Sequence, residues 1–381
     1  MELSDISRVV APTLSRQLFM MAKQYSDVID FTLGDPDIPT HKDICEAAYR
    51  ATLEGKTRYA PNAGLPALRE AIANYTSKGT PYEYKADNAA VTFGATEAIY
   101  LSFMALLNPG DEVIILAPYW VQYENIVKLV GAKPVIVNEF DHDFEPSLVA
   151  IKKAITSKTR AIVVNSPNNP SGYIYSEDFL KSVSELAVAN NLCIFADEVY
   201  KTLIYNKEYV SIAKYCPKEQ LVIFNSFSKM FAMTGWRVGY VVADEEFIKT
   251  VVKLQQNIAV CVATPSQYAA TEAMTNADKY TTLLQERFES RRNTLCQELN
   301  KCDKISYVAP DGTFYAFLDI SATGLDSKTF CFSLLEKEHV AVIPGIAFGE
   351  AFDKYIRLAF TLNEDCIIEG VNRIRKFINN L

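Results

Sequence analysis

Residues 160–200 read RAIVVNSPNNPSGYIYSEDFLKSVSELAVANNLCIFADEVY, and this stretch decides the fold. RAIVVN (160–165) and LCIFADE (192–198) are short, nearly unbroken apolar runs, the pattern of strands covered on both faces. Between them, SEDFLKSVSELAVANN (176–191) repeats Phe179, Leu180, Val183, Leu186 and Ala187 at three- and four-residue steps. Ser176 stands where a helix N-cap belongs. The alternation extends in both directions through AAVTF (89–93), EVIILA (112–117), KPVIVN (133–138), LVIFNSF (221–227) and VGYVVA (238–243). Alternating strands and helices predict an α/β fold with a mostly parallel seven-stranded sheet sandwiched by helices. Beyond residue 245 the pattern turns helical through LLQERFESRRNTLCQELN (283–300). It then becomes β-rich in ISYVAPDGTFYAFLDI (305–320), VAVIPG (340–345) and YIRLAF (355–360), and a helix closes the chain. We expect a large domain over 40–280, and a small α+β domain made of 1–39 together with 281–381. No Gly/Ser linker separates them, so the two should pack closely.

Composition narrows the function. With 38 basic against 46 acidic residues the chain carries a formal charge of −8, so it lacks the basic surplus of a general nucleic-acid binder. At 49% hydrophobic and 22% charged it is neither disordered nor a small disulfide scaffold. The start, MELSDISRVV (1–10), has no apolar core of signal-peptide length, and no uncharged run reaches the roughly 18 residues of a membrane span. The eight cysteines form no C-x-x-C pair, so free thiols in a reducing, cytoplasmic setting are expected. His41, His142 and His339 fall in no ligand spacing, so no metal is expected.

In sheets of this kind ligands bind beyond the carboxyl ends of the strands. Five strand ends here carry complementary chemistry. Gly94-Ala95-Thr96 opens a helix after AAVTF and offers free N–H groups to an anion. Trp120 follows EVIILA as an aromatic plate. Asn169, held before Pro170, presents a side-chain amide. Asp197 emerges from LCIFA, where a carboxylate is costly to bury without a cation. Lys229 follows LVIFNSF, where desolvation lowers an amine pKa as imine formation requires, with Ser226, Ser228 and Arg237 close by in sequence. Taken singly, each has a bland reading as a turn, a core aromatic or a surface charge. Together they fit one ligand, pyridoxal 5′-phosphate. Asp197 would hold the ring nitrogen, Asn169 and Tyr200 the phenolate oxygen, and Trp120 would stack on the ring, while Lys229 would join the aldehyde.

The chain resembles the fold-type-I pyridoxal-phosphate aminotransferases of class I/II, the aspartate and aromatic amino-acid aminotransferase family. The likeness is carried by GDPD (34–37), GKTRYAPNAGLPALREAI (55–72), GATEA (94–98), APYWVQY (117–123), NSPNNPSG (165–172), DEVY (197–200), SFSKMFAMTGWRVGY (226–240), GTFY (312–315), VIPGIAFG (342–349) and YIRLAF (355–360). The resemblance implies that Lys229 is the Schiff-base lysine and proton carrier. It makes Arg357 the bidentate partner of the substrate α-carboxylate, with Gly34 lining the same pocket. Ser226, Ser228, Arg237 and the Ala95–Thr96 amides become the phosphate cup. Tyr59 would reach the phosphate of a neighbouring subunit, which implies a homodimer with shared sites. It further implies cis bonds before Pro118 and Pro170. Two departures, Ser171 and Leu358-Ala359-Phe360, leave the mechanism intact and make the substrate pocket more apolar. Thr96 stands where relatives that favour dicarboxylates place a basic group. Within a donor set of aromatic, neutral and acidic L-amino acids, this favours the first two. Arg16, in the segment that closes over substrate in relatives, is the candidate to compensate.

Amino transfer from an L-amino acid to a 2-oxo acid such as 2-oxoglutarate, in two half-reactions, is the leading reading. A carbon–sulfur β-lyase acting on cystathionine or cysteine conjugates would use the same residues. Ser226-x-x-Lys229 has the S-x-x-K spacing of serine acyl-transfer enzymes, but the S-D-N and K-T-G that accompany it are missing from the sequence. A non-catalytic cofactor-binding regulator would need an added DNA-binding domain. No G-x-G-x-x-G follows any strand, which excludes a nicotinamide dehydrogenase.

Overall fold

A computed structural model describes residues 2–10 and 13–381; Met1, Ala11 and Pro12 of the N-terminal segment lie outside the described residues. The seven apolar runs form one sheet. Its strands are β1 (Ala89–Thr92), β2 (Glu112–Leu116), β3 (Lys133–Val137), β4 (Thr159–Asn165), β5 (Cys193–Asp197), β6 (Leu221–Ser226) and β7 (Gly239–Val242). Every boundary falls within one residue of the run read from the sequence. The spatial order is β1-β7-β6-β5-β4-β2-β3. Neighbours from β6 through β3 are parallel, and β7 is antiparallel to both β6 and β1. The reversal has a local cause. Residues 227–238 hold one short helix, Phe227–Met230, and a 3₁₀ turn, and they return the chain directly beside β6.

Every residue of β2 and β6 is buried, as the unbroken apolar runs require of a sheet covered on both faces. The helix Glu177–Ala189 between β4 and β5 buries Phe179, Leu180, Val183 and Ala187, and the Ser176 side chain accepts from Phe179 N–H at its start. Leu186, expected on the same face, is half-buried.

The C-terminal part builds a second, antiparallel sheet from β8 (Ser306–Tyr307), β9 (Tyr315–Asp319), β10 (Ile343–Pro344) and β11 (Tyr355–Ala359), in the order β8-β9-β11-β10. The VAVIPG run divides between partners. Ile343–Pro344 joins this sheet, whereas Val340–Ala341 pairs in parallel with Ile29–Asp30 from the N-terminal segment. Phe31 extends the stitch: its N–H donates to Ala341 O and its carbonyl accepts from Ala359 N–H, both at 2.9 Å. Residues 32–35 are thereby laid against the end of β11. The helix Ala277–Leu299 runs behind, and its buried Arg291 forms a bidentate pair with Asp37 at 2.7 and 3.0 Å. All eight cysteines are free, and Cys216, Cys302 and Cys331 are buried. Among the described residues no helix is long and apolar enough to cross a membrane.

Candidate active site

A cavity of about 400 Å³ opens beyond the carboxyl ends of β4, β5 and β6, at the start of the helix Gly94–Leu106. The sequence-derived residues Gly34, Ala95, Thr96, Trp120, Asn169, Asp197, Tyr200, Ser226, Ser228, Lys229, Arg237 and Arg357 all line it. Strand ends far apart in sequence converge because parallel pairing brings every carboxyl end to the same edge.

One end of the cavity is built to approach an anion. The first N–H groups of the helix Gly94–Leu106 have no intrahelical acceptor, and they carry the positive end of its dipole. Gly94, at φ +77°, stands just behind the cavity, and a Cβ there would meet Arg237 Nη2 at 2.7 Å, so the missing side chain lets the guanidinium reach the helix start. Gly239 on β7 allows the same closeness from below: its Cβ would lie 2.4 Å from Gly94 C and 2.5 Å from Ala95 N. Arg237 adopts the left-handed conformation (φ 53°), donates from Nη1 to Thr234 O at 2.9 Å and is otherwise exposed. Ser226, the last residue of β6, caps the Phe227–Met230 helix, with its hydroxyl accepting from Ser228 N–H at 3.1 Å.

The end of β5 holds a carboxylate in isolation. Asp197 is 3% exposed, and no ion pair reaches it among the described residues. Burial pushes its pKa up to about 6, against the pull of hydrogen bonds from the Tyr123 hydroxyl and from Val199 N–H. The sequence reading called for a cation here, and the chain itself supplies a phenol. Trp120 stands edge-on to Tyr123, with ring centroids 5.3 Å apart, and leaves a ring face available at the cavity wall.

The same cavity is lined by Lys229, whose amine donates to Gly34 O at 2.5 Å. Burial pushes its pKa down; Tyr315 and Asp35 pull it upward, and Arg357 and Arg237 add to the downward shift. Arg357, on β11, is 6% exposed. Its Nη2 donates to Thr32 O at 2.6 Å and its Nη1 to Asn169 Oδ1 at 3.2 Å, while the guanidinium lies 4.3 Å from the Tyr315 ring centre. Its buried Nε has no hydrogen-bond partner among the described residues. Because arginine only donates, this contact fixes the amide of Asn169: Oδ1 faces Arg357 and the NH₂ group remains as a donor. Asn168 Nδ2 donates to Pro118 O at 3.1 Å and its Oδ1 accepts from the Ser171 hydroxyl at 2.7 Å, which locks the turns after β2 and β4 together. Both turns contain the expected cis bonds, before Pro118 and Pro170, and a third precedes Pro167.

The family described as aminotransferase class I and II matches residues 26–374. The chain belongs to the class I and II aminotransferases. It is 41% identical to a probable aspartate/prephenate aminotransferase of Aquifex aeolicus, over 93% of this chain and 92% of that one. It is 40% identical to an aspartate aminotransferase of Pyrococcus horikoshii, over 95% and 93% of the two chains. Among solved structures it resembles Thermus thermophilus aspartate aminotransferase with maleate (TM-score 0.94, 34% identity, 99% of both chains). It also resembles the aromatic aminotransferase of P. horikoshii (TM-score 0.90, 36% identity, 95% of this chain and 99% of that one). The protein is a transaminase with the fold of these enzymes.

Tyr59 and Arg16 do not line this aminotransferase's cavity. Tyr59 is 87% exposed, on a run of exposed residues at 52–59. Arg16 is exposed and lies 5.2 Å over the Phe19 ring on the N-terminal helix, and Thr13 is the one of the described residues 2–22 at the cavity. Sequence reasoning missed Tyr123, Tyr315, Thr13 and Phe348. Tyr123 and Tyr315 lay within quoted motifs, but an aromatic flanked by apolar residues reads as core. The backbone oxygens of Thr32 and Gly34, which accept from Arg357 and Lys229, have no side-chain signature at all.

Proposed function

We propose that this aminotransferase holds pyridoxal 5′-phosphate in the cavity and moves an amino group from an L-amino acid to a 2-oxo acid. The observation that carries the reading is Asp197, a buried carboxylate with no cation beside it among the described residues, lining the same cavity as Arg237 and a helix N-terminus. A protonated pyridine nitrogen is the cation that this carboxylate lacks. Phosphate suits the helix start, where Gly94 and Gly239 clear space for backbone amides and Arg237. When bound, the cofactor supplies an aldehyde that receives the amino group and a ring that withdraws electrons from the α-carbon.

The chain's residues then have separable tasks. The Lys229 amine, held low in pKa by desolvation, forms the covalent link to the cofactor. With the cofactor held, the same amine would be the base placed to move a proton between the substrate α-carbon and C4′. Arg357 binds the α-carboxylate, its plane set by Tyr315 and by Thr32 O. The Asn169 NH₂ would donate to the phenolate oxygen, as would the Tyr200 hydroxyl once released from Tyr315, to which it donates here at 3.2 Å, and Trp120 would cover the ring. We further propose the division into a large domain, 40–280, and a small one, 1–39 with 281–381, with substrate bound where they meet.

The cations of the lining, Lys229, Arg237 and Arg357, already have partners, and Leu33, Trp120, Val121 and Phe348 supply apolar wall. Neutral and aromatic donors therefore fit better than aspartate. A stopped-flow panel of the amino acids, following conversion of the aldehyde to the amino form, tests both points. The expected result is conversion by several L-amino acids, fastest for uncharged ones. No conversion by any would contradict amino transfer, and aspartate ranking first would contradict the preference.

The exposed Tyr49, Leu53 and Tyr59 fit a second copy of the chain, with Tyr59 of each copy donating to the phosphate held by the other. In this arrangement Tyr59→Phe weakens pyridoxal-phosphate binding by about tenfold, the value of one hydrogen bond to a charged group, while the dimer persists in light scattering. A monomer with unchanged affinity would exclude it. Gly239→Ala is expected to act from within one chain. Its methyl would collide with backbone at the helix start, so phosphate-end affinity should fall and the melting temperature with it. Titration of the apo form with the cofactor and a thermal melt would check both.

A further inference from the structure

We infer that Tyr123 is a positioning residue for the reaction, acting through Asp197 by holding its carboxylate ionised and aimed at the ring nitrogen; the inference rests on the cofactor reading above. Tyr123 lies on the helix Gln122–Leu129, is 2% exposed, and spends its one O–H proton on Asp197 Oδ2. Val199 N–H occupies Oδ1 at 3.2 Å, and Asn165 Nδ2 fixes the Asp197 carbonyl at 3.1 Å. The carboxyl group is therefore gripped at both oxygens and cannot rotate without breaking a buried bond. Donation runs one way. Burial first, and then the charge of Asp197, push the Tyr123 phenol well above its ordinary range, so it stays protonated.

The other titratable groups around the pair give Asp197 no such help. Glu198, buried next in sequence, opposes its charge, though Lys201 sits 3.3 Å from that carboxylate. Tyr175 and Tyr200, both buried, contribute no positive charge. Tyr123 is thus the side chain that makes an ionised Asp197 tolerable before a cation arrives. Sequence motifs gave it no role, and a phenol serving only to fill the core would not need its hydroxyl.

The test uses Tyr123→Phe, which keeps the ring and its packing, in the full-length chain stripped of cofactor. The probe is pyridoxamine 5′-phosphate, which binds without a covalent link and so isolates the ring-nitrogen contact. In the parent protein, affinity should fall as pH drops below about 6, where Asp197 takes up a proton that binding must expel. Loss of one charge-assisted hydrogen bond should move that acid limb up by about one to two pH units, which weakens binding at pH 6 by about 5- to 50-fold. An Asp197→Asn background supplies the control. There the same tyrosine change should alter affinity by less than about threefold, because the charge it served is gone. Coincident pH profiles for parent and Tyr123→Phe would overturn the inference, as would an equal loss in both backgrounds, which marks a packing defect. Failure of the parent itself to bind the probe would instead sink the cofactor reading.

Discussion

Lys229→Ala is expected to abolish steady-state transamination, with a fall of about 10⁴-fold or more, while the protein still binds pyridoxal phosphate. Two functions leave with one side chain. The covalent anchor is lost, and so is the base that shuttles a proton between the α-carbon and C4′, itself worth about 10² to 10⁴ in rate. The amine is poised for proton transfer because burial lowers its pKa, while the Gly34 carbonyl fixes it at 2.5 Å. Asp197, Arg237 and the helix N-terminus do not depend on it, so cofactor affinity should persist. Steady-state rates with the best donor, beside a cofactor titration, check the result. Rates within tenfold of the parent would rule out Lys229 as the proton carrier.

Arg357→Lys should lower kcat/KM for amino acids by about 10²-fold or more, although charge is conserved. Lysine offers one point charge in place of a planar fork, and a bidentate carboxylate contact loses its second bond. The site compounds the effect. Arg357 is held flat by Tyr315 at 4.3 Å and tethered by Thr32 O and Asn169 Oδ1, and an ammonium cannot satisfy those acceptors while also facing a carboxylate. The discriminating measurement compares an amino acid with the amine lacking its carboxylate. The loss should appear for the amino acid and nearly vanish for the amine. Equal losses would mean that Arg357 supports the cavity rather than the substrate.

The sheet was legible because its strands are buried on both faces, so apolar runs such as EVIIL and LVIFNS have few other folds open to them. The residues at their ends were legible for the opposite reason: Asp197 and Lys229 break an apolar pattern where breaking it is costly. What stayed hidden depends on contacts across sequence distance. Asp197 demanded a partner, but nothing local says that the partner is a hydroxyl 74 positions earlier, on a helix face that otherwise packs core. Tyr315 supports Arg357 with an aromatic face, and Thr32 and Gly34 serve through backbone carbonyls that any residue possesses. The VAVIPG run was read as β-rich, but its division was not visible: its two halves pair with different sheets because the N-terminal segment returns to occupy the edge of Val340–Ala341. Gly94 was legible as the start of a helix, but its closeness to Arg237, and that of Gly239 to the backbone of Gly94 and Ala95, emerges only on folding.

The central claim, that the amine at 229 is joined to a pyridoxal aldehyde whose ring nitrogen meets Asp197, has one direct measurement. Purified protein supplied with pyridoxal phosphate is reduced with borohydride, digested and weighed peptide by peptide. A yellow protein before reduction and a phosphopyridoxyl mass on the peptide containing Lys229 are expected, with no other lysine modified to a comparable extent. A colourless protein, or a label fixed on a different lysine, would contradict it.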